Sequence, residues 1–268
     1  GIGGNPTNQI VESDVRLTGK TGLCGTNRRR AWVDRRYSFA VAFDRACTSV
    51  EALPKQPGEV APRYVFDFGR TRGETLLVKV ALSAEGGVAG AQKNLAAEIP
   101  GWDFEGVRTA ARAAWNRALG VATVEGTDDQ KKSWYTALYH VFFQPNNLAD
   151  ADGTPFYSTF SCWDTFRAAA PLYTLLCPDR AAAFVDSLLE QGRRTGYLPI
   201  WTLWGQENQC MIGKHSVPMI VDAYLKGLWR GDAQAAYAQV KDTLTQRHPA
   251  AGRRTGTTTT ATATIRST

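Results

Sequence analysis

Two different periods of hydrophobic and polar positions divide the chain. Between Arg16 and Ala84 apolar residues recur at every second position. Tyr37, Phe39, Val41 and Phe43 alternate with the small Ser38, Ala40 and Ala42, residues 64–68 repeat the alternation, and residues 76–82 form a third β-rich run. A period of two predicts strands, with a turn at residues 22–25 and a loop over residues 54–62. The aromatic side chains on these strands are read as core, because half-buried strands favour such residues.

From Gly86 the period lengthens to that of a helix. Residues 90–99 read as a short helix ended by Pro100 and Gly101. Asp103 opens a longer one to Leu119, with Trp102, Val107, Ala111 and Trp115 on one stripe, and both read as linker helices. Thr127 followed by Asp128 and Asp129 predicts a capped helix start whose acidic residues suit the helix dipole. That helix runs to Phe143, stops before Pro145, and carries Trp134, Leu138 and Phe142 on one face; His140 is expected to be buried and hydrogen-bonded in it. Residues 179–194 form an amphipathic helix with Ala183, Phe184, Ser187, Leu188 and Gln191 along neighbouring ridges. The next helix, 216–229, is expected to turn Val217, Ile220, Val221, Tyr224 and Leu228 inward, and 232–244 is another. From His248 the sequence becomes Thr, Ala and Arg low-complexity without a helical stripe, which predicts poor packing and is what a change of reading frame would produce.

Composition narrows the picture only a little. With 43% hydrophobic residues over 268 positions the chain is an ordinary folded protein, neither disordered nor a membrane span. The formal net charge of +6 has its clusters at Arg28-Arg29-Arg30 and Arg253-Arg254, without a regular array of stacking aromatics, so nucleic acid is not the expected partner. Cys24, Cys47, Cys162, Cys177 and Cys210 form no CxxC pair and no finger spacing, which argues against zinc, and their odd number leaves at least one free thiol. No targeting segment is visible at Gly1.

The candidate chemistry lies between Tyr157 and Gly213. Within one helical turn Trp163 offers a flat apolar face, Asp164 an anion and Arg167 a five-donor fork, the groups that grip a polyhydroxylated ring. The alternative for Asp164 and Arg167 is an ion pair at i and i+3. Some forty residues on, Glu207 stands among Trp201 and Trp204, surroundings that disfavour a charged carboxyl and suit a general acid. The alternative is a structural glutamate paired with Lys214 or Arg167. Trp201 and Trp204 are expected to shape a pocket, His215 to touch a sugar hydroxyl or to start a helix, and Asp222 to be structural. Asp150 and Asp152 lie in a Gly-containing loop but lack the ligand series of a calcium loop, so solvation and turn formation are the favoured reading there.

The runs YTALYH, DADG, SCWDTFRAAAPLYTLL, GYLPIW, QENQCMIGKHS and DAYLKG, in this order and spacing over roughly residues 64–229, resemble glycoside hydrolase family 92. The resemblance implies a mixed α and β architecture: the end of a β-sandwich domain (1–85), linker helices (86–120), the first part of an (α/α)6 catalytic domain (121–246) and a low-complexity tail (247–268). It implies a calcium-dependent, inverting exo-α-mannosidase, α-1,2-mannosidase-like, acting on mannose-containing oligosaccharides or glycoproteins, with Glu207 as general acid and Trp163, Asp164, Arg167, Trp201 and His215 as substrate-binding residues. The site is expected in a secreted or periplasmic protein. The family's general base comes from a Gly-Asn-Asp-Asp segment that this sequence does not contain, and most calcium ligands lie there too. The polypeptide is therefore expected to be a fragment with weak activity or none. Another (α/α)6 glycosidase and a non-catalytic carbohydrate-binding module are the alternatives.

Overall fold

The computed structural model describes residues 9–69, 73–208 and 210–246. The tail from residue 247 lies outside them. The described residues fall into two compact units, one up to residue 159 together with 203–206, the other of residues 160–202 and from 207 onward.

The first unit is built on a four-stranded antiparallel sheet in the order β1 (Gln9–Leu17), β2 (Gly22–Arg30), β3 (Asp34–Phe43) and β6 (Val78–Ser83). A separate hairpin pairs β4 (Ser49–Leu53) with β5 (Arg63–Asp67). The turn expected at residues 22–25 is instead the start of β2. A Cβ at Gly22 would lie 2.1 Å from the Val41 carbonyl oxygen, and one at Gly25 would lie 2.3 Å from that of Asp14. Glycine marks close approach of neighbouring strands there, not a reversal of the chain.

The alternation in β3 is real, but its buried side is the small one. Ser38 and Ala40 are 3% exposed, and Ala81 and Ser83 on β6 are buried beside them. Over this face lies α1 (Gly87–Glu98), whose Ala91, Val88 and Leu95 pack on Cys24 and Ala40. Small residues let the helix axis come close; large ones would hold it off. The opposite face carries Phe39, Val41 and Phe43 beside Leu82, Val80 and Val78, and the three β6 residues are about half exposed. Phe43 packs edge-on against Phe66 and Phe68, at 4.9 and 5.2 Å between ring centroids, but all three rings are half-buried and none reaches the buried core.

The helices begin near where the sequence places them. In α2 (Phe104–Leu119) the Asp103 carboxylate accepts the Gly106 amide. In α3 (Asp128–Phe142) Thr127 and Gln130 form a reciprocal capping box. The stripe on α2 is not buried among the described residues. Trp102 lies under the Lys79 ammonium at 4.2 Å, and Trp115 packs on Tyr139 at 4.6 Å. His140 is exposed rather than buried, because on α3 only Leu138 falls below the surface; its ring rests beside Tyr139. After α3 a short strand pair, β7 (Asn146–Asn147) with β8 (Tyr157–Ser158), closes the loop carrying Asp150.

The second unit is helical: α4 (Cys162–Thr165), α5 (Ala169–Leu176), α6 (Pro178–Thr195), α7 (Ser216–Leu225) and α8 (Ala233–Thr245). Its core takes Phe160, Cys162, Tyr173, Phe184, Leu188, Leu198, Ile220, Ala223, Trp229 and Val240. Gly196, left-handed at φ 83°, ends α6. The helix α7 stops at Leu225, short of the expected Trp229. Its buried face is Ser216, Met219, Ile220 and Ala223, whereas Val221 and Tyr224 are exposed. The inward stripe is thus rotated from the expected one toward smaller residues. Trp229 lies beyond the helix and donates its indole N–H to Asp186 at 2.6 Å. Asp222 pairs with Lys226, which also donates to Thr174, so it braces α7 as a structural residue.

Candidate active site

The centre of the second unit is a junction of two backbone segments. Ser161 forms an antiparallel bridge with Trp201, the Thr202 amide donates to the Phe160 carbonyl at 3.0 Å, and the Phe160 amide donates to the Thr202 hydroxyl at 3.1 Å. This pairing brings the start of α4 beside residues 200–202, although forty positions separate them in sequence.

Glu207 is fixed at that junction. Its carboxylate accepts the amides of Ile200 and Trp201, the latter at 3.2 and 3.3 Å to its two oxygens, and the Asn208 amide returns to the Trp201 carbonyl at 3.1 Å. Glu207 is half-buried. It pairs with neither Lys214, which donates to the Leu244 carbonyl, nor Arg167, whose guanidinium lies 5.1 Å over the Phe166 ring. Behind it stands Cys162, fully buried; burial first, and the Glu207 charge second, push the Cys162 thiol well above its ordinary range and keep it neutral.

The block from Trp163 to Arg167 presents its functional groups outward. Trp163 is 43% exposed, and Asp164 and Arg167 are also exposed. The Asp164 carboxylate accepts the Ser161 hydroxyl. No ion pair joins Asp164 to Arg167, so both retain capacity for a polar ligand. His215 reaches the block from the other direction. Its ring meets Trp163 at 86° and 4.9 Å and lies 4.2 Å from Phe166. Trp163, Asp164, Trp201, Glu207 and His215 are therefore linked through contacts within one unit. Trp204 belongs to the first unit, at φ 54°, where its ring stacks on Tyr37 at 6.0 Å and its carbonyl accepts Arg35.

Sequence reasoning missed three contributors. The amides of Ile200 and Trp201 were illegible because a backbone N–H carries no residue signature. Cys162 and Phe166 adjoin known candidates, but only the fold shows Cys162 behind Glu207 and Phe166 against His215. The one sequence signal available was the spacing of Gly213 and His215.

The family model described as the glycosyl hydrolase family 92 catalytic domain matches residues 90–264. The chain belongs to glycosyl hydrolase family 92. Among solved members, the family GH92 α-mannosidase of Bacteroides thetaiotaomicron superposes with a TM-score of 0.81 at 25% identity, over 90% of this chain and 37% of that one. The same enzyme in complex with mannoimidazole gives 0.80 at 26% identity, over 89% and 35%. A family GH92 inverting mannosidase of Bacteroides thetaiotaomicron VPI-5482 gives 0.78 at 25%, over 90% and 36%. An uncharacterized secreted glycosidase of Arthroderma benhamiae is 27% identical over 162 residues, which are 56% of this chain and 18% of that protein. The chain thus spans little more than a third of the solved family 92 structures it matches.

Membership of family 92 suggests a metal-dependent enzyme. Among the described residues no group of three or more His, Cys, Asp or Glu side chains is arranged around a common point. Asp150 uses one oxygen to accept the Ser83 hydroxyl at 3.0 Å and the other to accept the Asn94 amide at 2.8 Å, while Asp152 pairs with Lys93. Both loop aspartates thus hold the loop to β6 and α1. All five cysteines are free thiols, and among the described residues no helix is long and apolar enough to cross a membrane.

Proposed function

We propose that this chain carries the proton-donating half of an inverting exo-α-mannosidase that removes terminal mannose from oligosaccharides or glycoproteins. The observation that carries the proposal is the seat of Glu207. Two backbone amides hold its carboxyl group within the unit that also contains Trp163, Asp164 and His215. Trp163 supplies the apolar platform for the sugar ring, and Asp164 and Arg167 supply an acceptor and donors for its hydroxyls. Trp201 shapes the floor and His215 borders it. The similar family 92 structures are mannosidases, one of them in complex with mannoimidazole, which favours mannose over other hexoses.

In such a site Glu207 protonates the departing glycosidic oxygen while water attacks the opposite face of the ring, directed by a second carboxylate. That second group is assigned to no residue of this sequence, which lacks the family's Gly-Asn-Asp-Asp segment. The 268-residue polypeptide is accordingly expected to bind mannose-like ligands with very slow turnover. Export of the enzyme is the reading favoured by its secreted fungal relative.

Calorimetry with mannoimidazole tests the proposal. The wild-type chain should bind it, Trp163→Ala should weaken binding strongly, and a gluco-configured imidazole should bind less well. Equal binding of both imidazoles would point to another hexose, and absence of binding to either would overturn the sugar-site reading. In a family 92 chain that also holds the base, Glu207→Gln should lower kcat about 10²- to 10⁴-fold while leaving ligand affinity nearly unchanged. Undiminished turnover in that variant would favour a non-catalytic role for this carboxyl.

A further inference from the structure

His215 holds an unusual position for a residue expected to bond a sugar. Its Nδ1 is buried without a hydrogen-bond partner, and the hydroxyl of the following Ser216, which is 0% exposed, is equally unpartnered. No polar group fixes the imidazole. What fixes it is packing: the Trp163 ring on one side, the Phe166 ring on another, and the backbone of Gly213 behind. A Cβ on Gly213 would lie 2.0 Å from the imidazole Cε1, and Gly213 sits at φ 88°, so this seat admits glycine alone.

We infer that His215 is a positioning residue, an aromatic wedge seated on Gly213 that sets the angle of the Trp163 platform, rather than a hydrogen-bonding ligand of the substrate. The inference rests on the sugar-site reading for its consequence but on ring packing for its content. Trp163 is 43% exposed and sits on a helix of only four residues, and the His215 ring meets it edge-on. An edge-to-face neighbour removes the alternative orientations of the indole before ligand arrives, so less freedom is lost on binding. Phe166, one turn along, backs the imidazole so that it cannot swing away from Trp163.

The test uses the full chain labelled with fluorotryptophan, the Trp163 signal being assigned through Trp163→Phe, together with mannoimidazole titration. In His215→Ala the Trp163 fluorine signal should move toward that of solvent-exposed indole, and affinity should fall about fivefold. His215→Phe restores a ring without nitrogens and should return both readouts to within about twofold of wild type. Gly213→Ala should shift the Trp163 signal as His215→Ala does. An unmoved Trp163 signal in His215→Ala overturns the inference, and so does a His215→Phe variant as weak as His215→Ala, which is the signature of a direct hydrogen bond. If the wild-type chain binds no mannoimidazole, the sugar-site reading fails, while the fluorine signals still decide whether the wedge exists.

Discussion

Asp34 illustrates how one side chain can carry a pH dependence that its neighbours dictate. The Arg28 guanidinium, chelating both its oxygens, and then Arg30 hold its carboxyl at about 2, below the ordinary 3.8. A depressed folded-state value means that the contribution to stability is complete above the unfolded pKa and is lost as pH falls through the folded one. The melting temperature should therefore drop between about pH 4 and pH 2, and Asp34→Asn should flatten that drop while lowering stability slightly at neutral pH. The effect is small because the pair is solvated. Thr127 makes a second single-residue case: Thr127→Ala removes one half of the capping box and should cost about 1 kcal/mol, read as a loss of denaturation midpoint without change of slope.

Elements show where periodicity informs and where it misleads. The alternation along β3 and β6 was plain in the sequence, yet the face that carries the larger side chains is the more exposed one. Residues such as Ser38, Ala40, Ala81 and Ser83 look solvent-facing by type, but their small size is what admits α1. Ala40→Leu should therefore destabilise the first unit by about 1–3 kcal/mol, while Val80→Thr on the opposite face should stay within about 0.5 kcal/mol, both measured by thermal unfolding. The same unit contains a polar latch between β6, α1 and the loop before β8. Asn94 donates to Asp150 and to the Leu82 carbonyl and accepts the Ala151 amide, and Ser83 donates to Asp150. Asp150→Ala leaves the buried Ser83 and Asn94 groups without that acceptor and should cost about 1–3 kcal/mol, with faster amide exchange at Ala151. The helix boundaries at Asp103, Thr127 and Asp232 were legible because a capping side chain is a local, type-specific signal. The rotation of the α7 stripe was not, since Val217, Val221 and Tyr224 are as apolar as the residues that the fold buries.

For the whole molecule, residue types determined which chemistry was available, and the tertiary structure decided how it is assembled. The sequence by itself settled the order of strands before helices, the main capping residues, and a family resemblance carried by many short runs in fixed order. It also singled out Glu207, by its place near Trp201 and Trp204, Trp163, by its place within one turn of Asp164 and Arg167, and His215, by its place after Gly213. It could not say that the amides of Ile200 and Trp201 grip Glu207, that Asp164 and Arg167 form no ion pair with each other, or that Trp204 stacks on Tyr37. Those outcomes depend on backbone atoms, which are alike at every position, and on contacts between segments tens to more than a hundred residues apart. Local pattern constrains neighbours within a turn or a strand pair; only chain closure fixes which distant surfaces meet.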